Sequence, residues 1–383
     1  MEYLITDAQT GKGERDFELD EAALPAGFPV AFNFRHQTLR GGKQEGSELI
    51  RLRVGELEVV VSPTRGMGVI SAQYADLHLG WDSPVKEVVN PSFIELSKLG
   101  GLGWLEGFNE LVARCGYQWS GHPGMDGDQM LTLHGQIQNI PASLVRLTID
   151  DKPPYTVRLS GRVDERCFKK AQFEVWMHLV IVPGESRFTL EDELINRGAY
   201  SSEYQALYHN NFGAPLLQAG GRVLVPAAQL SPFNARAAEG LSVWDQVPGP
   251  VAGFDEEVFN IRPLSDEQGN SVALLHNAAA DRGIAVGFNT EQLPVLTLWK
   301  NCDLQEHGYV IGLEPGTSFA YNRSLQRELG LVPTIGAGES RRFHLSFDLL
   351  IGANEVAQTV QKVAKLQERA ALEVLNQPLV SLV

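Results

Sequence analysis

Short apolar runs, most of them alternating with polar residues, recur from about residue 50 to residue 352. LRVGELEVVVSP reads as two strands around Gly55-Glu56. Segments 156–165, 173–183 and 187–196 form three more, and 271–277 with 283–289 flank a short turn. Segments 293–301, 309–315 and 341–352 close the series. Alternation with period 2 gives each strand one buried and one wetter face, as in antiparallel sheets. Thirty-eight glycines and twenty prolines interrupt the chain every few residues, leaving little room for long helices. The pattern therefore predicts a large β-sandwich rather than alternating βαβ units. Two helices are expected. One spans 91–99; the other spans 354–375, with Val356, Val360, Val363 and Leu366 on one stripe that most simply docks on the sandwich, or else on a partner subunit. No fixed-period repeat or low-complexity linker divides the chain. A single domain follows: N-terminal strands over 1–50, the sandwich over 51–352, and a C-terminal helix and tail over 353–383.

Composition narrows the function classes. A hydrophobic fraction of 43% can fill a core, which rules out wholesale disorder. Lysine plus arginine number 32 against 47 acidic residues, so 32 − 47 = −15, and a broad nucleic-acid-binding face is not expected. Cys115, Cys167 and Cys302 are odd in number and far apart, which suits neither a disulfide framework nor a metal knuckle. The N-terminal stretch has no secretory pattern, and no apolar run approaches a membrane span. A cytoplasmic protein without a membrane partner is the expectation.

No phosphate-binding loop, HExxH helix or GxSxG elbow occurs, and Gly100-Gly101-Leu102-Gly103 reads as a loop. The nine histidines include no close pair at metal-ligand spacing, so no metal site is expected. What stands out is polar residues set into apolar strands: His134 in TLHGQ, His209 in ALYHNNFGAPLL and Glu314 in YVIGLEPG. Each alone also fits a hydrogen-bonded core or turn position. Together, a desolvated carboxyl with a raised pKa and a histidine near neutrality make an acid–base pair.

LHG at 133–135, HNN at 209–211 and GLEP…N at 312–322 occur in an order that resembles the aldose 1-epimerases, the galactose mutarotase-like proteins. VPGPVAGFDEEVF (247–259) and PTRGMGVISAQYADLHLGWDSP (63–84) are similar to further stretches of that family. RGMGVISA and FNELVARCG look like a bacterial aldose 1-epimerase-like branch. The resemblance implies an all-β, large antiparallel β-supersandwich, a small-molecule sugar as partner, and no cofactor. It casts Glu314 as the general base at the anomeric hydroxyl, His209 as the acid at the ring oxygen, and His134 as a hydrogen-bonding partner of the sugar. Asp255 matches the substrate-orienting aspartate, with Glu256 and Glu257 competing for the role. Arg114 and Asn211 are further substrate-binding candidates, and Trp299 offers an aromatic face. Lys300, with Arg65 or Arg114, could hold an acidic or phosphorylated sugar.

Two departures bear on the sugar's identity. Asn210 stands where the family has an aromatic, and the aspartate before the asparagine matching Asn322 is absent. The leading expectation is an isomerase that interconverts sugar anomers. A non-catalytic carbohydrate-binding or sensing protein is the alternative, and a lyase or hydrolase, the hydrolase using Glu314 with Asp255, is a third. A homodimer stays open.

Overall fold

The computed structural model describes residues 1–13 and 16–380. Two large sheets face one another, one of ten strands and one of thirteen. The ten-stranded sheet centres on Val157–Arg166, Gln172–Ile181, Arg187–Asn196 and Ser340–Ile351, and the other on Val295–Asn301, Val310–Gly316, Gln205–Gly213 and Val112–Tyr117. Neighbouring strands in both run antiparallel, apart from the short parallel contact of Glu373–Val374 with Ala227–Pro232. This is the large β-sandwich predicted from the alternating runs and the supersandwich implied by the resemblance. The main core lies between the sheets: Leu159, Val175, Leu190 and Phe347 come from one, and Tyr208, Leu296, Ile311 and Leu313 from the other.

The predicted helices come out shorter. Segment 91–99 holds one 3-10 turn at Pro91–Phe93 and only the start of a helical turn at Lys98–Gly101, where Leu99, Gly100 and Gly101 all have positive φ. That backbone cannot continue a right-handed helix. The C-terminal helix is Ala353–Gln367. It stops eight residues before the expected Leu375 because Gln367 reaches across to bond both the N–H and the carbonyl of Ala227, after which Leu375 N–H donates to Leu230. Backbone pairing with the sheet edge replaces helix there. Val356, Val363 and Leu366 are buried, with Val360 beside them, on Val272, Leu274, Ala285 and Leu350 of the ten-stranded sheet. The stripe docks on its own sandwich, as its spacing suggests. No helix of the described residues is long and apolar enough to cross a membrane.

One ion pair crosses the core between the sheets. Arg114 of Val112–Tyr117 meets Asp192 of Arg187–Asn196 through Nε–Oδ2 at 2.6 Å and Nη2–Oδ1 at 3.0 Å, and its Nη1 donates to the Met67 carbonyl at 2.8 Å. Tyr208 and Tyr117 also donate to Asp192. Burial alone would lower the Arg114 pKa, but the adjacent carboxylate holds the guanidinium charged. Removing one partner strands the other charge in the core, which costs about 3–5 kcal/mol. Arg114→Met is therefore expected to lose stability of that order in urea unfolding. A variant of wild-type stability with a raised KM would instead return Arg114 to the substrate.

Candidate active site

Strand parity decides which side chains leave the core. In Gln205–Gly213, Ala206, Tyr208 and Phe212 enter the inter-sheet core, so Leu207 and His209 face the opposite side of the thirteen-stranded sheet. In Val310–Gly316, Ile311 and Leu313 are core residues and Glu314 faces that outer side. These strands pair antiparallel with Leu207 opposite Gly316 and Asn210 opposite Leu313, a register that sets His209 beside Glu314. Cross-strand neighbours of this kind lie within side-chain contact. His209 Nε2 sits 3.2 Å from Glu314 Oε1. On the next strand Thr297 pairs with Glu314 and Trp299 with Gly312. A Cβ at Gly312 would collide with Glu314 Oε1 and press on Trp299, so the glycine of GLEP makes room for the carboxyl.

Loops complete a cavity of about 260 Å³ over this face. His134 arrives on a left-handed backbone (φ 56°) with its N–H bonded to Gly121 and its carbonyl accepting from Gly116. The following Gly135 (φ 75°) packs where a Cβ would strike the carbonyls of Trp119 and Gly116. This is why the histidine is followed by glycine. The His134 ring stands edge-on to His209, centroids 5.3 Å apart. Trp104, Phe108 and Trp299 surround the two imidazoles at centroid distances of 4.9–6.1 Å. His122 and Glu256 also line the cavity, and Trp299 Nε1 donates to Glu256 Oε2 at 2.7 Å.

Burial dominates the electrostatics. It pushes the Glu314 carboxyl well above its ordinary range, and the charge on Glu256 adds to the shift. It lowers His209 to about 4, against a hydrogen bond to Asn211 that works the other way. His134 falls well below its usual value through burial, then through His209 and His122. The distance between His209 and Glu314 alone would pass for an ion pair, yet burial disfavours the charged form of both partners. Three polar atoms at the cavity have no hydrogen-bond partner within the protein: Trp104 Nε1, His134 Nδ1 and Thr297 Oγ1. Buried polar groups are normally satisfied, so donors and acceptors left open around one cavity suit a ligand rich in hydroxyl groups. Among the described residues, no three histidine, cysteine, aspartate or glutamate side chains converge as a metal would require.

The structure thus brings together Glu314, His209, His134 and Trp299, and takes the other expected residues elsewhere. Asp255 is exposed outside the cavity, and Glu256 points in instead. Lys300 has the parity of Leu296 and Leu298, so it leaves the cavity face and pairs with buried Glu257 at 3.4 Å. Arg65 is buried against Glu110 at 3.0 Å, the Gly107 carbonyl and Asn139. Arg114 is held by Asp192 in the core. None of these three cations reaches the cavity, which overturns the expectation of an anion-binding cluster. Asn211 does not line the cavity either; it braces His209 from behind.

Sequence reasoning missed Trp104, Phe108, His122 and Thr297. The signal for Trp104 was the glycine run before it. A Cβ at Gly103 would collide with the Glu95 carbonyl, so only glycine lets that loop fold tightly enough to turn the tryptophan inward.

A family model described as "Domain of unknown function (DUF4432)" matches residues 44–349. A Klebsiella pneumoniae protein of known structure, provisionally named an aldose 1-epimerase, is 43% identical over 100% of this chain and 99% of its own, with a TM-score of 0.96. A galactose mutarotase-like protein from Clostridium acetobutylicum is 13% identical over 82% of this chain and 97% of its own, with a TM-score of 0.55. Galactose 1-epimerase from Lactobacillus acidophilus is 12% identical over 84% of this chain and 100% of its own, also at 0.55. These last two share the fold. No curated protein matches the sequence.

The pKa directions generate a stability prediction. The Glu314 carboxyl holds its proton in the fold above the pH at which the unfolded chain releases it, near 4.5. Above that pH the unfolded state binds fewer protons, so stability falls as pH rises toward the folded value. His209 acts on the acid side, costing stability as pH drops from 6.5 through about 4. Glu314→Gln removes only the first effect. The stability of this variant relative to wild type should grow as pH rises above 4.5, by up to about 1.4 kcal/mol per pH unit. A gain that stays constant across that range in urea melts would mean that Glu314 ionises normally.

Proposed function

We propose that this chain, which belongs to the DUF4432 family, is an isomerase of the aldose 1-epimerase type acting on a single uncharged sugar ring. The observation that carries this reading is the contact of one carboxyl and one imidazole, 3.2 Å apart, in a cavity whose open polar atoms await partners. Ring opening needs that pair: a base for the proton on the anomeric oxygen and an acid for the ring oxygen. The roles are Glu314 as base and His209 as acid. As the proton leaves the anomeric hydroxyl for Glu314, its O–H electron pair becomes the second bond of a carbonyl. The bond from the anomeric carbon to the ring oxygen then breaks, and that oxygen takes a proton from His209. Rotation about the bond beside the carbonyl and closure with the roles reversed give the other anomer. No proton is gained or lost overall.

Protein and chemistry agree on the count of protons. A neutral carboxyl with a neutral imidazole, the forms that burial favours, holds one exchangeable proton between the two, and the reactive form, carboxylate with imidazolium, holds the same one moved to the other partner. A bound sugar that donates to Glu314 and accepts from His209 stabilises the charged form. His134 Nδ1, Thr297 Oγ1 and Trp104 Nε1 serve as further hydrogen-bond partners, and Glu256, held by Trp299, accepts from ring hydroxyls. Trp104, Phe108 and Trp299 supply apolar walls for the C–H face of the ring. The small volume supports a monosaccharide rather than a chain of sugars.

Optical rotation or anomer-resolved NMR on freshly dissolved aldoses tests the reading. Wild type should accelerate equilibration of at least one neutral aldose, and Glu314→Gln should lower that rate by about 10²–10⁴-fold. Tight binding of a sugar without acceleration would make the protein a binder. No lysine or arginine lines the cavity, so sugar phosphates and sugar acids should neither be turned over nor raise the melting temperature, whereas the neutral substrate raises it. Stabilisation by a sugar phosphate would overturn the assignment to uncharged rings.

A further inference from the structure

We infer that Asn211 sets the tautomer of His209: its side-chain oxygen obliges Nδ1 to carry the proton and leaves Nε2 as the nitrogen that exchanges protons with Glu314. The orientation of the Asn211 amide is not free. Its Nδ2 lies 3.0 Å from the Glu110 carbonyl and 3.1 Å from the His209 carbonyl, and both can only accept. That end is the NH₂ group, so the atom 2.7 Å from His209 Nδ1 is the oxygen. An acceptor at that distance requires an N–H on Nδ1. A neutral imidazole has one N–H, so Nε2 keeps its lone pair and aims it at Glu314 Oε1, 3.2 Å away.

The brace extends further back. The Glu110 carbonyl that fixes Asn211 also accepts from Trp81 Nε1 at 3.1 Å. The Glu110 side chain is clamped by Arg65 at 3.0 Å and Gln138 Nε2 at 2.9 Å, and its second oxygen accepts from the Asn109 N–H. Arg65 is thereby connected to His209 through Glu110 and Asn211, although it is outside the cavity. Facing the His209 ring are His134 and Glu314 as titratable groups, with Trp104, Phe108 and Trp299 around them. None of these offers Nδ1 an alternative acceptor closer than Asn211. The pair in HNN at 209–211 thus divides its work: Asn211 is a positioning residue, while Asn210, of opposite parity, donates to the Leu313 carbonyl and ties the two central strands together.

The tautomer is readable without any sugar, so its test is independent of the proposed isomerase activity. In protein labelled with ¹⁵N-histidine, long-range ¹H–¹⁵N correlation at pH 8, with His209 identified by its loss in His209→Asn, should show Nδ1–H and a bare Nε2. Asn211→Ala should shift His209 toward the Nε2–H form, and Asn211→Asp, which keeps the acceptor, should retain Nδ1–H. Where a neutral aldose is turned over, Asn211→Ala should lower kcat by about 10–100-fold with KM little changed, by analogy with the loss when the partner that orients a metal-ligating histidine is removed. A wild-type His209 that is Nε2–H or doubly protonated at pH 8 overturns the inference. So does an Asn211→Ala protein that keeps pure Nδ1–H. If the variants do not fold, the wild-type spectrum alone decides.

Discussion

The site depends on the register between Gln205–Gly213 and Val310–Gly316. In an antiparallel sheet, a slip of one residue turns every side chain to the other face. Here it would send His209 or Glu314 into the hydrophobic core and break their contact. Several features hold the register. Tyr208 bonds to Asp192 on the core side, Asn210 bonds across to Leu313, and Ile311 and Leu313 fill the inter-sheet space. These contacts are on the face opposite the cavity or within the backbone plane. The core thereby aligns a carboxyl and an imidazole on a face that it never touches.

A second consequence of the same sheet is charge separation. Arg65, Arg114 and Lys300 each pair with a buried carboxylate, Glu110, Asp192 and Glu257 respectively. Buried pairs of this sort contribute little net stability, yet losing one member is costly. Their effect on function is indirect. With each cation neutralised locally, no positive side chain is available to hold Glu314 ionised, and desolvation by Trp104, Phe108 and Trp299 sets its protonation. The cavity therefore holds a carboxyl and an imidazole whose charged forms burial disfavours. Low dielectric surroundings strengthen each hydrogen bond that a polar ligand makes there.

The brace on His209 extends this logic to a single proton. A histidine that works through one nitrogen needs the other held, and a carboxamide does so without adding a charge to an already electronegative cavity. An aspartate in that place would raise the basicity of the ring and put a third carboxyl beside Glu314 and Glu256. Asn211 avoids both.

Much of this architecture was legible along the chain. Alternating runs predicted the antiparallel strands, the C-terminal stripe predicted a docking helix, and polar residues set into apolar strands singled out His134, His209 and Glu314. Hydrophobic alternation and glycine are local signals, because period 2 and the missing Cβ act within a few residues. Parity could even have removed Arg114 and Lys300 from the site, since each stands two residues from a core residue of its own strand, Val112 and Leu298, and so shares its face. Trp104, Phe108, His122 and Thr297 could not be placed in this way. They come from loops and a strand far apart in sequence, and their meeting depends on how two sheets and their connections close over one face. The choice of Glu256 over Asp255 is of the same kind: adjacent acidic residues differ in role only because strand entry turns one inward. Residue type and spacing specify which way each strand faces, whereas the partners met there are fixed by long-range packing.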